Sequence, residues 1–301
     1  LQNAFNDLYQ MIENMVKGKK GFLLSKWGSR RVFNGTANVI SAMDASSKML
    51  GTANSISPTD TLVGLHQFIV AARPLVVNSI INGYPSTIFS DPGVPVRVVN
   101  PKTLKTEHVN VKAETFDRFT TVEGAERIIN SYSDRELRHK PIMVDKHYLA
   151  LIYVDNNDNF KIFSDIDELP EGFDRDLVRP LSLCEFIYLS NYRVWNTYPG
   201  TVTRYPIERL GSIFPTTLYV KTTTYGQMRY ELGEDWERIG DDAVALEFPD
   251  NQSTSFLETL VPHSARLPGL GGDFDGDRCS LNILYTDESS NEIHTYLKKK
   301  E

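Results

Sequence analysis

The sequence is short of several things, and each shortage excludes a class of protein. Of 301 residues only two are cysteine, Cys184 and Cys279. They lie far apart and neither belongs to a Cys-x-x-Cys pair. That argues against a zinc ribbon or a disulfide scaffold and makes a reducing compartment the default. No apolar run approaches the roughly eighteen residues that a membrane-crossing helix needs. Basic residues are in deficit, 32 against 39 acidic, for a net charge of −7. A free-standing nucleic-acid binder is usually basic, so the total argues against one. There are no repeats and no low-complexity linker. The opening Leu1 carries no basic–apolar leader, and a first residue other than Met points to processing or to a piece of something longer.

What is present suits a globular chain: 41% hydrophobic and 24% charged residues. The length fits two domains, or one large domain with an insertion. The acidic total hides one basic island. Residues 1–46 hold Lys17, Lys19, Lys20, Lys26, Arg30 and Arg31 against Asp7, Glu13 and Asp44.

Apolar residues at Phe5, Leu8, Ile12, Met15 and Val16 have helical spacing, and Gly18 and Gly21 end that helix. Strand character follows over 31–43, around a turn at Asn34-Gly35. A second helical region is expected over 61–81, with Asp60 as N-cap and an interruption at Pro74. The middle reads as β-rich. Hairpins are expected at 94–99 with 107–111 and at 148–154 with 160–163, and helices at 123–131 and 181–189. Strands follow at 202–205, 217–222 and 243–248, and a capped helix starts after Thr286. The expected class is therefore α+β and β-rich.

Most familiar motifs fail. Gly269-Leu-Gly271-Gly-Asp-Phe274 puts Phe where a dinucleotide fingerprint needs its third glycine. Asp155-x-Asn157-x-Asn159 opens like a calcium loop, but Phe160 replaces the glycine and Ile166 the closing Glu, so it reads as a hairpin turn. There is no GxxxxGK[ST], no GxSxG, and no HxxxH among the six histidines.

One feature remains: Gly271-Gly-Asp273-Phe-Asp275-Gly-Asp277-Arg278. Carboxylates at i, i+2 and i+4 repel one another unless a cation sits among them. Oxygen ligands on a short loop suit a hard ion such as Mg²⁺. Gly276 permits the turn, and Phe274 is expected to plug into a core and fix the loop. The competing account is an acidic solvent-facing turn.

Asp273-Phe-Asp-Gly-Asp277 resembles the catalytic loop of the largest (β′-type) subunit of multisubunit DNA-directed RNA polymerases. Two further stretches occur in the right order. Gly18-Lys-Lys-Gly21, with Ser29-Arg-Arg-Val-Phe-Asn-Gly35 and Val39-Ile-Ser41, is similar to that family's GKxG…GKRVDxSGRxVI segment. Thr203-Arg-Tyr-Pro-Ile-Glu-Arg-Leu-Gly211 is similar to its NRxPTLHRLG segment. Together the matches cover about residues 18–41 and 200–285.

The resemblance implies a double-psi β-barrel with a long inserted β-rich region and flanking helices. Residues 1–46 would hold the N-terminal helix and first barrel segment, and 47–198 the inserted helical and β-rich region. Residues 199–285 would form the main barrel segment with the catalytic loop, and 286–301 a C-terminal helix start. It implies Mg²⁺-dependent nucleotidyl transfer from NTPs onto an RNA 3′ end. Asp273, Asp275 and Asp277 would hold the resident Mg²⁺, a second ion arriving with the NTP. Arg204 would reach the nucleotide ribose. Lys19, Arg30 and Arg31 would take nucleic-acid phosphates, with Lys26 and Arg266 as further candidates.

Departures from the family pattern are Thr203 before the arginine, Gly271 where the family has a ribose-touching Asn, and Arg278-Cys279 after the loop. They, and the absence of bridge-helix, trigger-loop and clamp sequences, resemble the split β′ subunits of giant tailed phages. Such a chain acts only with β-type and remaining β′ chains and a promoter-specificity subunit, on template DNA and RNA, in the infected host's cytoplasm or the virion and at no membrane. Two rivals predict different things: a single-chain polymerase of the RNA-silencing type predicts a second barrel, and a metal-stabilised β module predicts no activity.

Overall fold

The computed structural model describes residues 1–18, 20–30, 35–43, 56–240 and 243–298. The fold is mixed α+β and β-rich, and it divides into two units. The first comprises Leu1–Val63, Thr197–Leu218 and Thr259–Glu301; the second comprises Gly64–Asn196 and Tyr219–Glu258.

The first unit is built on a six-stranded sheet. Its order is Thr36–Val39, Arg278–Ile283, Tyr198–Thr203, Ile213–Lys221, Asp60–Gly64, Leu260–Pro262. Thr36 pairs with Leu281 and Val39 with Arg278, while Thr203 lies opposite Ser280 on one side and Ile213 on the other. Just past the first strand, Ile40 bridges in parallel to Leu260, and the Ser41 N–H donates to the Leu260 carbonyl at 3.0 Å. First and last strands thus meet, and the sheet is nearly closed into a barrel, which leaves little unpaired edge. Alternation along Ile213–Lys221 buries Phe214, Thr216 and Leu218. The Thr216 hydroxyl is satisfied inside by Thr61 at 2.8 Å and the Thr59 carbonyl at 2.7 Å. Val63, Val202, Leu260, Cys279 and Leu281 complete this core.

The N-terminal helix runs over Gln2–Val16, as the spacing predicts, but none of its residues is buried. Asp60 is not a helix cap. It opens the fully buried strand Asp60–Gly64, and its carboxylate accepts the Ser57 N–H at 2.7 Å. The helices begin after it, at Leu65–Ala71 and Arg73–Asn82, with Pro74 in the first turn of the second, where its missing N–H costs nothing.

In the second unit a five-stranded sheet has the order Val244–Phe248, Gln227–Glu231, Asn159–Phe163, Leu151–Val154, Val178–Pro180. Two of these strands, Gln227–Glu231 and Val244–Phe248, come from the sequence expected in the main barrel segment. A four-stranded sheet orders Thr106–Val109, Val96–Val99, His147–Tyr148 and Met143–Val144. Trp236 packs edge-on to Tyr153 and Phe163, inside a cluster with Val99, Leu151, Ile166, Val178 and Leu232. The expected helices appear at Val122–Ser131 and Leu183–Leu189, joined by an unforeseen one at Ala113–Thr120. Asp155 closes a hairpin turn, as read: its carboxylate accepts the N–H groups of Asn157 and Asn159 at 2.9 and 2.8 Å.

Arg138 is among the second unit's buried charges, 2% exposed. Its Nε donates to the Tyr132 carbonyl at 2.8 Å and its Nη1 lies 2.8 Å from Glu258 Oε1. The guanidinium lies 4.5 Å from the ring centres of both Tyr132 and Phe256. Arg135 also pairs with Glu258. Burial pushes Glu258 upward, but the two arginines outweigh it and hold the carboxyl below its ordinary 4.5.

Candidate metal centre

The acid loop is set by glycines at both ends. The short helix Leu267–Leu270 stops at Gly271, whose φ of 61° is left-handed, and the Gly272 N–H returns to the Leu267 carbonyl. That is the usual glycine-made helix ending. The loop then turns at residues 274–276, where Gly276 takes a φ of 110°, a region that penalises any side chain. Asp277 leads into the strand Arg278–Ile283, and its carbonyl accepts the Ile40 N–H at 3.0 Å. The loop therefore hangs from the barrel-like sheet at its C-terminal end.

One carboxylate oxygen from each of Asp273, Asp275 and Asp277 lies within 4.8 Å of the others. Asp273 and Asp275 are exposed. A hydrogen bond with Asp275, then some loss of solvation and the charges of Asp275 and Asp277, push the Asp273 carboxyl above its ordinary 3.8, against the pull of Arg204. Asp277 is different. Arg204 Nε and Nη2 reach its two oxygens at 2.8 and 3.1 Å, a two-pronged pair, and the Asp273 N–H adds a bond at 3.2 Å. That pairing raises the Arg204 pKa. Gly272 leaves room for it: a Cβ there would sit 3.2 Å from Asp277 Oδ2 and 3.4 Å from Arg204 Cδ.

Phe274 does not plug into a core. It is 45% exposed, within the turn at residues 274–276. Arg30 is exposed, and Lys26 stands exposed on the turn Leu23–Trp27. Lys19 and Arg31 lie outside the described residues. Arg266 is engaged internally: its Nε donates to the Pro58 carbonyl at 2.8 Å, and it lies over the Phe214 ring.

Two features escaped the sequence reading. The Arg204–Asp277 pair joins residues 73 positions apart, with no local signal. Arg209 lies against Gly271, its Nη2 2.9 Å from where a Cβ would stand, and Gly211 meets Gly269 backbone to backbone. The glycines of both stretches were the available clue to this contact. No family model and no curated protein matches the sequence.

The donor set fits a hard divalent cation: three carboxylates on one short loop, two of them exposed and repelling each other. The Arg204 guanidinium balances one of the three charges, that of Asp277.

Proposed function

We propose that this chain carries the metal-binding half of the active centre of a multisubunit DNA-directed RNA polymerase, as a split β′-type subunit of the giant-phage kind. The observation that carries this reading is the meeting of three stretches at Asp277. The polymerase-like segments 18–41, 203–211 and 273–277 are remote in sequence. Yet Ile40 from the first donates to the Asp277 carbonyl, and Arg204 from the second grips the Asp277 carboxylate. The nearly closed six-stranded sheet suits a double-psi barrel, and we assign it that topology.

Asp273, Asp275 and Asp277 would hold Mg²⁺, which supplies Lewis acidity for the RNA 3′-hydroxyl and charge neutralisation for the NTP phosphates, a second ion coming with the nucleotide. The chain's own part is positional. Gly271 and Gly276 fix the loop so that three carboxylates face one point. Arg204 stands beside that point, close enough for its guanidinium to be offered to a ribose. Lys19, Arg30 and Arg31 would take backbone phosphates without reading sequence, with salt-dependent strength. β-type and remaining β′ chains complete the centre, a promoter-specificity subunit directs it, and the setting is the infected host's cytoplasm or the virion.

The test is RNA-primer extension on a DNA scaffold by the complex that copurifies with this tagged chain. Mg²⁺-dependent extension should fall at least about 100-fold with Asp275→Asn while the complex still assembles, since several kcal/mol of transition-state stabilisation is at stake. Equal extension by both complexes would place the chemistry in another chain. A chain with neither partners nor extension would be a metal-stabilised module.

A further inference from the structure

We infer that Arg204 is a latch on the cation site: it holds Asp277 while the site is empty and must yield or share that carboxylate when a divalent cation binds. This rests on the metal-centre reading above. Both prongs of the guanidinium are on Asp277, one to each oxygen, and the pair is only 24% and 20% exposed. Oδ2 also accepts the Asp273 N–H. A cation drawing on Asp277 therefore competes with an ordered partner of its own charge sign, not with loose solvent.

The pair also serves the fold. It keeps a carboxylate at the mouth of the strand Arg278–Ile283 neutralised and aimed, so the loop keeps its shape without an ion. Asp273 and Asp275 have no ion-pair partner among the described residues, so they are the open side of the site. With a cation held from that side, Asp277 would have to share its carboxylate, and Arg204 would loosen its grip. The released guanidinium is then available to an oxygen-rich substrate group beside the site, so substrate recognition by Arg204 becomes conditional on cation occupancy.

The latch makes an unusual prediction: removing a residue next to the site should improve cation binding. Mn²⁺ alone, titrated into the full chain and followed by its electron paramagnetic resonance signal, is the probe. Arg204→Gln should bind Mn²⁺ about fivefold more tightly than wild type, the factor equivalent to about 1 kcal/mol for one partly exposed ion pair. Arg204→Lys keeps the charge but not the fork and should fall between. Thermal melting without metal checks that each variant is folded. Unchanged or weaker Mn²⁺ binding by folded Arg204→Gln or Arg204→Lys overturns the latch and leaves the metal centre standing. If wild type binds no Mn²⁺, or binds it as well with Asp275→Asn, the metal centre itself fails and the latch with it.

Discussion

The two units treat their charged side chains in opposite ways. In the second, Arg138 is almost wholly buried, yet it is matched by Glu258, a backbone carbonyl and two aromatic faces. In the first, three carboxylates crowd one loop, and the guanidinium of Arg204 is taken by one of them, Asp277. Charge satisfied by its own chain holds a fold together. Charge gathered on a glycine-framed loop, with only Asp277 of the three acids in an ion pair among the described residues, works against the fold, and a bound cation would relieve it. The contrast is the reason the proposed function is assigned to the first unit.

The largest effect on stability should come from breaking the satisfied side. Glu258→Gln leaves the buried Arg138 without its carboxylate and should cost about 3 kcal/mol in denaturant unfolding. A loss under about 0.5 kcal/mol would mean that the aromatic rings and carbonyl suffice. In the first unit, Gly211→Ala places a Cβ 2.6 Å from the Gly269 Cα. The loop carrying Arg204 and Arg209 must then move off the helix before the acids, at a cost of about 2 kcal/mol by the usual range for overpacking.

Acid should separate the units further, because the two shifts have opposite sign. Glu258 is depressed below 4.5 in the fold, so its contribution is present above 4.5 and is lost as pH falls through its lowered value. Asp273 is raised above 3.8 by its hydrogen bond with Asp275. Its folded form holds the proton more tightly, so the metal-free loop becomes less stable as pH rises from 3.8 through the raised value. Carboxyl chemical shifts followed through acid titration would read both. Parallel titration of Glu258 and Asp273 would remove the distinction.

Local patterns were legible in the sequence where they were local. The helix at Gln2–Val16 and the turn at Asp155 rest on spacing and on one side chain's reach. The strand Asp60–Gly64 was misread because a short, fully buried run has no period to distinguish it from a helix start. Ala113–Thr120 was missed because only Phe119 is buried in it, too thin a stripe to stand out. At the site, the three acids could be named from their spacing. Their asymmetry could not, since it depends on Arg204 arriving from 73 residues away. Phe274 failed as an anchor for a related reason: the loop is held by glycine dihedrals and by Asp277's backbone, not by an apolar plug.

The most direct test of the account is thermal melting of the chain with EDTA and with Mg²⁺, wild type beside Asp275→Asn. If the loop is built for a cation, Mg²⁺ should stabilise wild type, by about 1 kcal/mol at roughly five times its Kd. Asp275→Asn should melt higher than wild type in EDTA, being relieved of one like charge, and should gain little from Mg²⁺. A variant that melts lower in EDTA, or gains as much from Mg²⁺ as wild type, would show an ordinary surface turn and contradict the claim.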